Sequence, residues 1–272
     1  MIPKTIHYCW FGGKKLPKEA LKCINSWRKY CPGYEIKEWN ESNFDISSCD
    51  YVKEAYNAKK WAFVSDYARF WILYNYGGLY FDTDVELIKG IDDIVAKGSF
   101  MGMEPYGNSN RVAAGLGLGA KKNNPLYAEI INYYKGLTFV QKDGTYNDET
   151  IVTYLTRIMK SHGFKGLNGT EFVDGIYIYP PEYFCPMNMD NGKIKISPNT
   201  RSIHWYSASW KDEREKEIHK NAVELNKKLP KVVGKQICCT YEVIAKTFYY
   251  MNRDGIGNTL RRVIRKLKKK MH

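Results

Sequence analysis

The run Tyr76-Gly77-Gly78-Leu79-Tyr80-Phe81-Asp82-Thr83-Asp84 joins three signals that decide the fold. Gly77-Gly78 stops a helical pattern, Leu79-Tyr80-Phe81 reads as a short buried strand, and Asp82 and Asp84 set two carboxylates at that strand's carboxyl end. Working backwards, Ala62, Val64, Ala68, Trp71 and Ile72 give residues 61–76 a helical period, with a short helix expected over 53–58. Residues 34–39 alternate as a strand. Residues 17–31 carry Ala20, Leu21, Ile24 and Trp27 at 3.6-residue spacing, with Pro17 in the first turn and Cys31-Pro32-Gly33 as a stop. Residues 5–11 read as a buried strand ended by Gly12-Gly13. Strand, helix, strand, helix, strand predicts an α/β fold with a mostly parallel central sheet and crossover helices. Ligands of such sheets lie beyond the carboxyl ends of the strands, where Gly13 and Asp82-Thr83-Asp84 fall.

Outward from that half, residues 100–103, 115–120 and 175–179 read as strands, and 126–134 and 149–160 as helices. No internal repeat or low-complexity linker is present. The economical division is one catalytic domain over residues 1–235 and a helical C-terminal extension over 236–272.

The 272 residues, 44% apolar and 26% charged, exclude wholesale disorder, collagen-like repeats and coiled coil. No apolar run is long enough to span a bilayer. The N-terminus enters a strand without a basic or apolar leader, so a cytoplasmic chain is expected. Seven cysteines, odd in number and without a C-x-x-C pair, predict reduced thiols. The net charge of +13 is uneven: Arg261, Arg262, Arg265, Lys266, Lys268, Lys269 and Lys270 stand in residues 255–272 without an acid. There Leu260, Val263, Ile264, Leu267 and Met271 share a stripe, so the tail reads as a basic amphipathic helix suited to an anionic membrane surface. A solvated terminal helix is the plainer alternative. Nucleic acid is not expected, because no zinc finger, RRM or other base-reading module is visible.

Chemistry is carried by two clusters. Asp82 and Asp84, two residues apart, share one face of an extended backbone and repel each other unless a cation stands between them. Magnesium or manganese held by one or two carboxylates and the phosphates of a substrate fits that need. Ser65, Asp66 and Arg69 lie within one helical turn, as a structural ion pair or as groups that hold a sugar hydroxyl. Trp10, at the end of the first strand, is either core or a platform for a flat base. In the late cluster, His204 offers an imidazole to a metal, and Ser209, Trp210 and Lys211 offer donors to diphosphate oxygens. Haloacid dehalogenase-like phosphatases also use Asp-x-Asp after a strand, but their pattern wants Thr or Val where this chain has Glu86.

Taken together, residues 2–13, Ser26-Trp27 with Glu38-Trp39-Asn40, Ser65-Asp66-Tyr67-Ala68-Arg69 and residues 76–84 resemble the DXD sugar-binding glycosyltransferase family. It includes initiating mannosyltransferases, bacterial capsular polysaccharide glycosyltransferases and, more distantly, the clostridial glucosylating toxins. The resemblance implies a GT-A type, Rossmann-like nucleotide-sugar-binding fold, a manganese or magnesium ion and retention of anomeric configuration. It implies that Trp10 stacks on the nucleobase, Asp66 and Arg69 grip the donor sugar, and Tyr80 lines the pocket. Asp82 would contact ribose and metal-bound water, and Asp84 and His204 would ligate the metal. Ser209 and Trp210 would hold metal and β-phosphate, with Lys211 beside them. On the acceptor side, Asp148 and Glu149 read equally as acceptor acids or as helix-start acids.

The expected activity is therefore transfer of a hexose from a nucleotide-sugar, UDP-linked by preference, to a lipid-linked oligosaccharide in capsular or surface polysaccharide synthesis. The expected place is the inner face of the cytoplasmic membrane, reached through the basic tail. An effector-type glycosyltransferase acting on protein, a phosphatase and a non-catalytic binding module are the alternatives.

Overall fold

The structure is a computed structural model that describes residues 1–147, 149–189, 191–207, 213–260 and 263–264. The first six elements follow the order read from the sequence: β1 (Thr5–Cys9), α1 (Lys18–Tyr30), β2 (Glu35–Trp39), α2 (Asp50–Asn57), α3 (Trp61–Tyr76) and β3 (Gly78–Tyr80). Next come β4 (Val85–Leu87), α4 (Asp92–Lys97), β5 (Ser99–Tyr106), β6 (Ser109–Val112), β7 (Leu118–Ala120), α5 (Pro125–Lys135) and α6 (Ile151–Ser161). The remainder is β8 (Glu171–Val173), β9 (Ile176–Tyr179), α7 (Pro181–Phe184), β10 (Ser202–His204), α8 (Glu213–Lys228) and α9 (Lys231–Asp254).

The main sheet runs β2-β1-β3-β7-β5-β9-β8, with β6 paired to β5. Strands β2, β1, β3, β5 and β9 point one way, while β7 and β8 are reversed, so the sheet is mostly parallel along this path. Its alternating side chains feed two cores. Tyr80, Met101 and Leu118 join α2, α3, α5 and α6 on one face. Ile6, Leu79, Phe81 and Phe100 join α1, α4 and α7 on the other. Helix α3 buries Phe63, Val64, Tyr67, Phe70 and Leu73, and ends at Gly77, whose φ of +67° suits a residue without a Cβ.

Two expectations change. The strand read over 115–120 begins only at Leu118, because the chain turns at 113–116 to press its backbone against the DXD segment. A Cβ on Gly115 would stand 2.1 Å from Asp82 Oδ2. The boundary set at 235/236 falls inside α9. The chain divides into two compact units instead, the first of residues 1–139, 148–187 and 194–207 and the second of 140–147, 188–193 and 208–272. The reason is that α8 packs along α9, where His219 Nδ1 lies 3.1 Å from Glu242 Oε1. All seven cysteines are free, as the sequence predicts. Among the described residues no helix is long and apolar enough to cross a membrane.

Candidate active site

Strands β1 and β3 pair in parallel, with His7 opposite Tyr80, so both chains leave the sheet at the same end. At the start of β3, His7 ties the C-terminus of α3 to the sheet: its Nε2 is 3.0 Å from the Gly77 carbonyl and its Nδ1 accepts from the Trp39 indole at 3.1 Å. Burial holds its pKa down at about 4, so the ring is neutral.

Asp82 and Asp84 do not converge through the alternation of a strand. The triplet lies in a turn, not in a strand, with the Val85 amide donating to the Asp82 carbonyl at 3.0 Å. Convergence comes from the short antiparallel pair β4–β10, which sets His204 opposite Val85. Helix α1 fastens this pair from behind, through the Trp27 indole to the Val85 carbonyl at 2.7 Å and the Leu87 amide to Ser26 Oγ at 2.8 Å.

Asp82, Asp84 and His204 each offer one ligand atom, and these atoms lie within 4.8 Å of one another. Two carboxylate oxygens and an imidazole nitrogen form a donor set that fits a divalent ion. The Nδ1 atom of His204 is buried without a hydrogen-bond partner, while Nε2 lies 3.0 Å from Asp84 Oδ1. The other Asp84 oxygen accepts from the Ser207 amide at 2.8 Å and from its hydroxyl at 3.0 Å. Burial alone would raise the Asp84 carboxyl, but His204 and Ser207 outweigh it and hold the pKa at about 2. The His204 pKa is lowered by burial and raised more strongly by Asp84 and Asp82.

Asp82 has a different setting. Arg69 Nη2 stands 3.3 Å from its Oδ1, and the Tyr80 hydroxyl donates to the same oxygen at 3.2 Å. Burial raises its pKa, with Arg69 opposing. Arg69 also reaches Asp66 Oδ1 at 2.9 Å and the Ser65 carbonyl at 3.0 Å, and its guanidinium lies 5.0 Å from the Tyr80 ring centre. Its own pKa is raised, because the surrounding anions outweigh the burial that would lower it. Burial lifts the Asp66 carboxyl to about 6, opposed by Arg69 and by the backbone amide of Ile151 at the start of α6.

The sequence-predicted residues thus fall into three groups. Asp66, Arg69, Tyr80, Asp82, Asp84 and His204 form one connected cluster at the carboxyl end of the parallel strands. Trp10 and Ser65 stand on elements that flank it: Trp10 follows β1, its indole N–H donating to the Lys14 carbonyl at 2.5 Å, and the Ser65 hydroxyl donates to the Trp61 carbonyl at 3.1 Å. Ser209, Trp210, Lys211 and Asp148 lie outside the described residues. Glu149 sits beside the α6 start.

Sequence reasoning missed Gly115, Ser207 and Tyr206. Gly115 is marked only by the small run Ala113-Ala114-Gly115. Ser207 lies inside the cluster around His204. The Tyr206 hydroxyl bridges Glu104 Oε2 at 3.1 Å and Cys185 Sγ at 2.9 Å, and its ring centre is 4.1 Å from that of His204.

Residues 17–101 match the family model for the glycosyltransferase sugar-binding region containing the DXD motif. Inositol phosphoceramide mannosyltransferase 1 of Schizosaccharomyces pombe is 30% identical over 122 residues, covering 40% of this chain and 37% of that protein. The match therefore spans little more than a third of that relative. An uncharacterised glycosyltransferase of Acanthamoeba polyphaga mimivirus is 25% identical over 221 residues, covering 77% of this chain and 84% of its own length. Among solved structures, the PaToxG glycosyltransferase superposes with a TM-score of 0.45 at 20% identity, over 59% of this chain and 69% of that one. Over residues 17–101 the chain is thus similar to the glycosyltransferase sugar-binding region containing the DXD motif, and Asp82-Thr83-Asp84 is an Asp-x-Asp triplet within that matched segment.

Proposed function

We propose that this chain is a metal-dependent, retaining glycosyltransferase that moves a hexose from a nucleotide-sugar to a glycan acceptor. The observation that carries the reading is the convergence, at the carboxyl end of β3, of Asp82 and Asp84 from the matched segment with His204 from β10, far beyond it in sequence. A manganese or magnesium ion held there by the three side chains would stabilise negative charge on a departing diphosphate. The protein's own groups do the rest. Arg69 and Tyr80 orient Asp82, and Ser207 with His204 keeps Asp84 ionised and aimed. Trp10 stacks on the base and favours a UDP-sugar, Asp66 and Arg69 face the sugar, and Ser209, Trp210 and Lys211 donate to the diphosphate as its charge grows.

Retention follows front-face attack, with the departing phosphate as base; trapping a covalent glycosyl-enzyme overturns that step. The acceptor is a lipid-linked oligosaccharide of a capsular or surface polysaccharide, and the basic residues after 260 bring the chain to an anionic, cytoplasmic membrane face. Mannosyltransferases among the relatives support a hexose donor.

The test is nucleotide release from a panel of UDP- and GDP-sugars by the full chain with manganese, repeated with EDTA and with Asp84→Asn. Slow hydrolysis of one donor, lost in both controls, is the expected result. Absence of turnover together with no thermal shift on adding manganese and nucleotide overturns the reading. Transfer to a protein hydroxyl and not to a lipid-linked glycan would select the effector-type alternative.

A further inference from the structure

Helix α9 carries its polarity the wrong way round for a helix bathed by water. Its charges turn toward α8: Glu242 accepts from Lys246 at 2.5 Å and lies against His219, and the Tyr250 hydroxyl donates to Glu215. On the other side, Ile237, Ile244 and Phe248 are 45%, 51% and 63% exposed, at the spacing of one helical face. Thr240 and Thr247 share that face. Their hydroxyls donate to the Gln236 and Val243 carbonyls at 2.9 and 2.8 Å, so the polar atoms are occupied within the helix and the methyl groups remain. No charged residue falls among these positions. The pattern continues past Gly255, where Ile256, Leu260 and Ile264 are also exposed, four residues apart.

Exposed apolar side chains along α9 and again beyond Gly255, followed in sequence by seven cations without an acid, match one class of partner: an interface that is greasy below and anionic above. A second copy of the chain is disfavoured as the occupant, because pairing would bring two such basic tails together. We propose that the uncharged face of α9 lies on an anionic lipid bilayer, entering the acyl boundary while the basic residues beyond 260 meet the headgroups. The inference rests on the reading of the basic tail given above and extends it by about six helical turns upstream.

The experiment is flotation of the full chain with vesicles of phosphatidylcholine alone and of phosphatidylcholine with phosphatidylglycerol. Three proteins are compared: the parent, Ile244→Glu with Phe248→Glu, and Lys268→Gln with Lys269→Gln and Lys270→Gln. Circular dichroism and sedimentation velocity without lipid accompany each. The parent is expected to float with the anionic vesicles. The α9 variant is expected to bind ~100-fold more weakly with unchanged helicity, since two large apolar side chains leave the interface. Parent-like flotation of the α9 variant beside loss in the tail variant overturns the inference and leaves the tail reading standing. Failure of the parent to float removes both. A parent dimer that the α9 variant converts to monomer assigns the face to a second copy, and also overturns the inference.

Discussion

The sheet unit and the α8–α9 pair handle charge in opposite ways. Around the DXD turn, Asp66 and Arg69 are almost wholly enclosed, and each buried charge there has a named partner. In α9 the charges pair within the helix and, through Glu242, with His219 of α8, while several apolar side chains stay exposed. Taking charge out of water is costly unless it is paired and hydrogen-bonded, so the first arrangement persists only where a fixed geometry is needed. An exposed apolar face has no such local use, and it marks a surface that meets something else.

The contrast can be broken at its strong end first. Asp84→Asn removes a ligand charge held on both oxygens, and donor hydrolysis should fall ~1000-fold or more, read as nucleotide release at saturating donor. Next in size is a pH effect on stability. The folded pKa of His7 is about 4 against an ordinary 6.5, so the unfolded chain takes up the proton first as pH falls. Stability is full above about 6.5 and is lost as pH drops toward 4, by about 3 kcal/mol at ~1.4 kcal/mol per unit. Urea unfolding across that window should show the loss, and His7→Gln should flatten it; equal slopes in both proteins would remove His7 as the cause.

Gly115→Ala places a methyl where Asp82 Oδ2 stands, and Asp82 is held by Arg69 and Tyr80, so the carboxylate must leave its position. A roughly 100-fold fall in turnover is expected, with the melting temperature little changed, because ångström-scale misplacement of a positioned group costs about that much. The smallest effect belongs to the other unit: Glu242→Gln should cost less than about 1 kcal/mol, since its partners are partly in water. A larger loss in urea unfolding would show that the α8–α9 pair depends on charge as strongly as the sheet unit does.

Much of the first 84 residues was legible because α1 and α3 are long enough to display a helical period and the intervening strands are bounded by glycines. The Asp82–Asp84 pair was legible from its place after Leu79-Tyr80-Phe81, although the reason assigned to its convergence was a strand's alternation and the actual cause is a turn. Strands β4 and β10 have three residues each, too few to show a period, so the ribbon that sets His204 beside Asp84 was invisible. Gly115 was invisible for a related reason, as its use is the room it leaves for a carboxylate more than 30 residues away in sequence. Asp66 shows a limit of another kind: the i, i+3 spacing revealed Arg69, and nothing local pointed to the amide of Ile151.

The β4–β10 ribbon also sets the order of events during synthesis. Ser207 and Asp84 are 123 residues apart in the chain, and closing a loop of that length carries an entropic cost that the intervening sheet must first offset. A nascent chain that has produced all of residues 17–101 still lacks His204, and emergence of residues 202–207 is the moment at which the Asp82, Asp84 and His204 cluster can be completed.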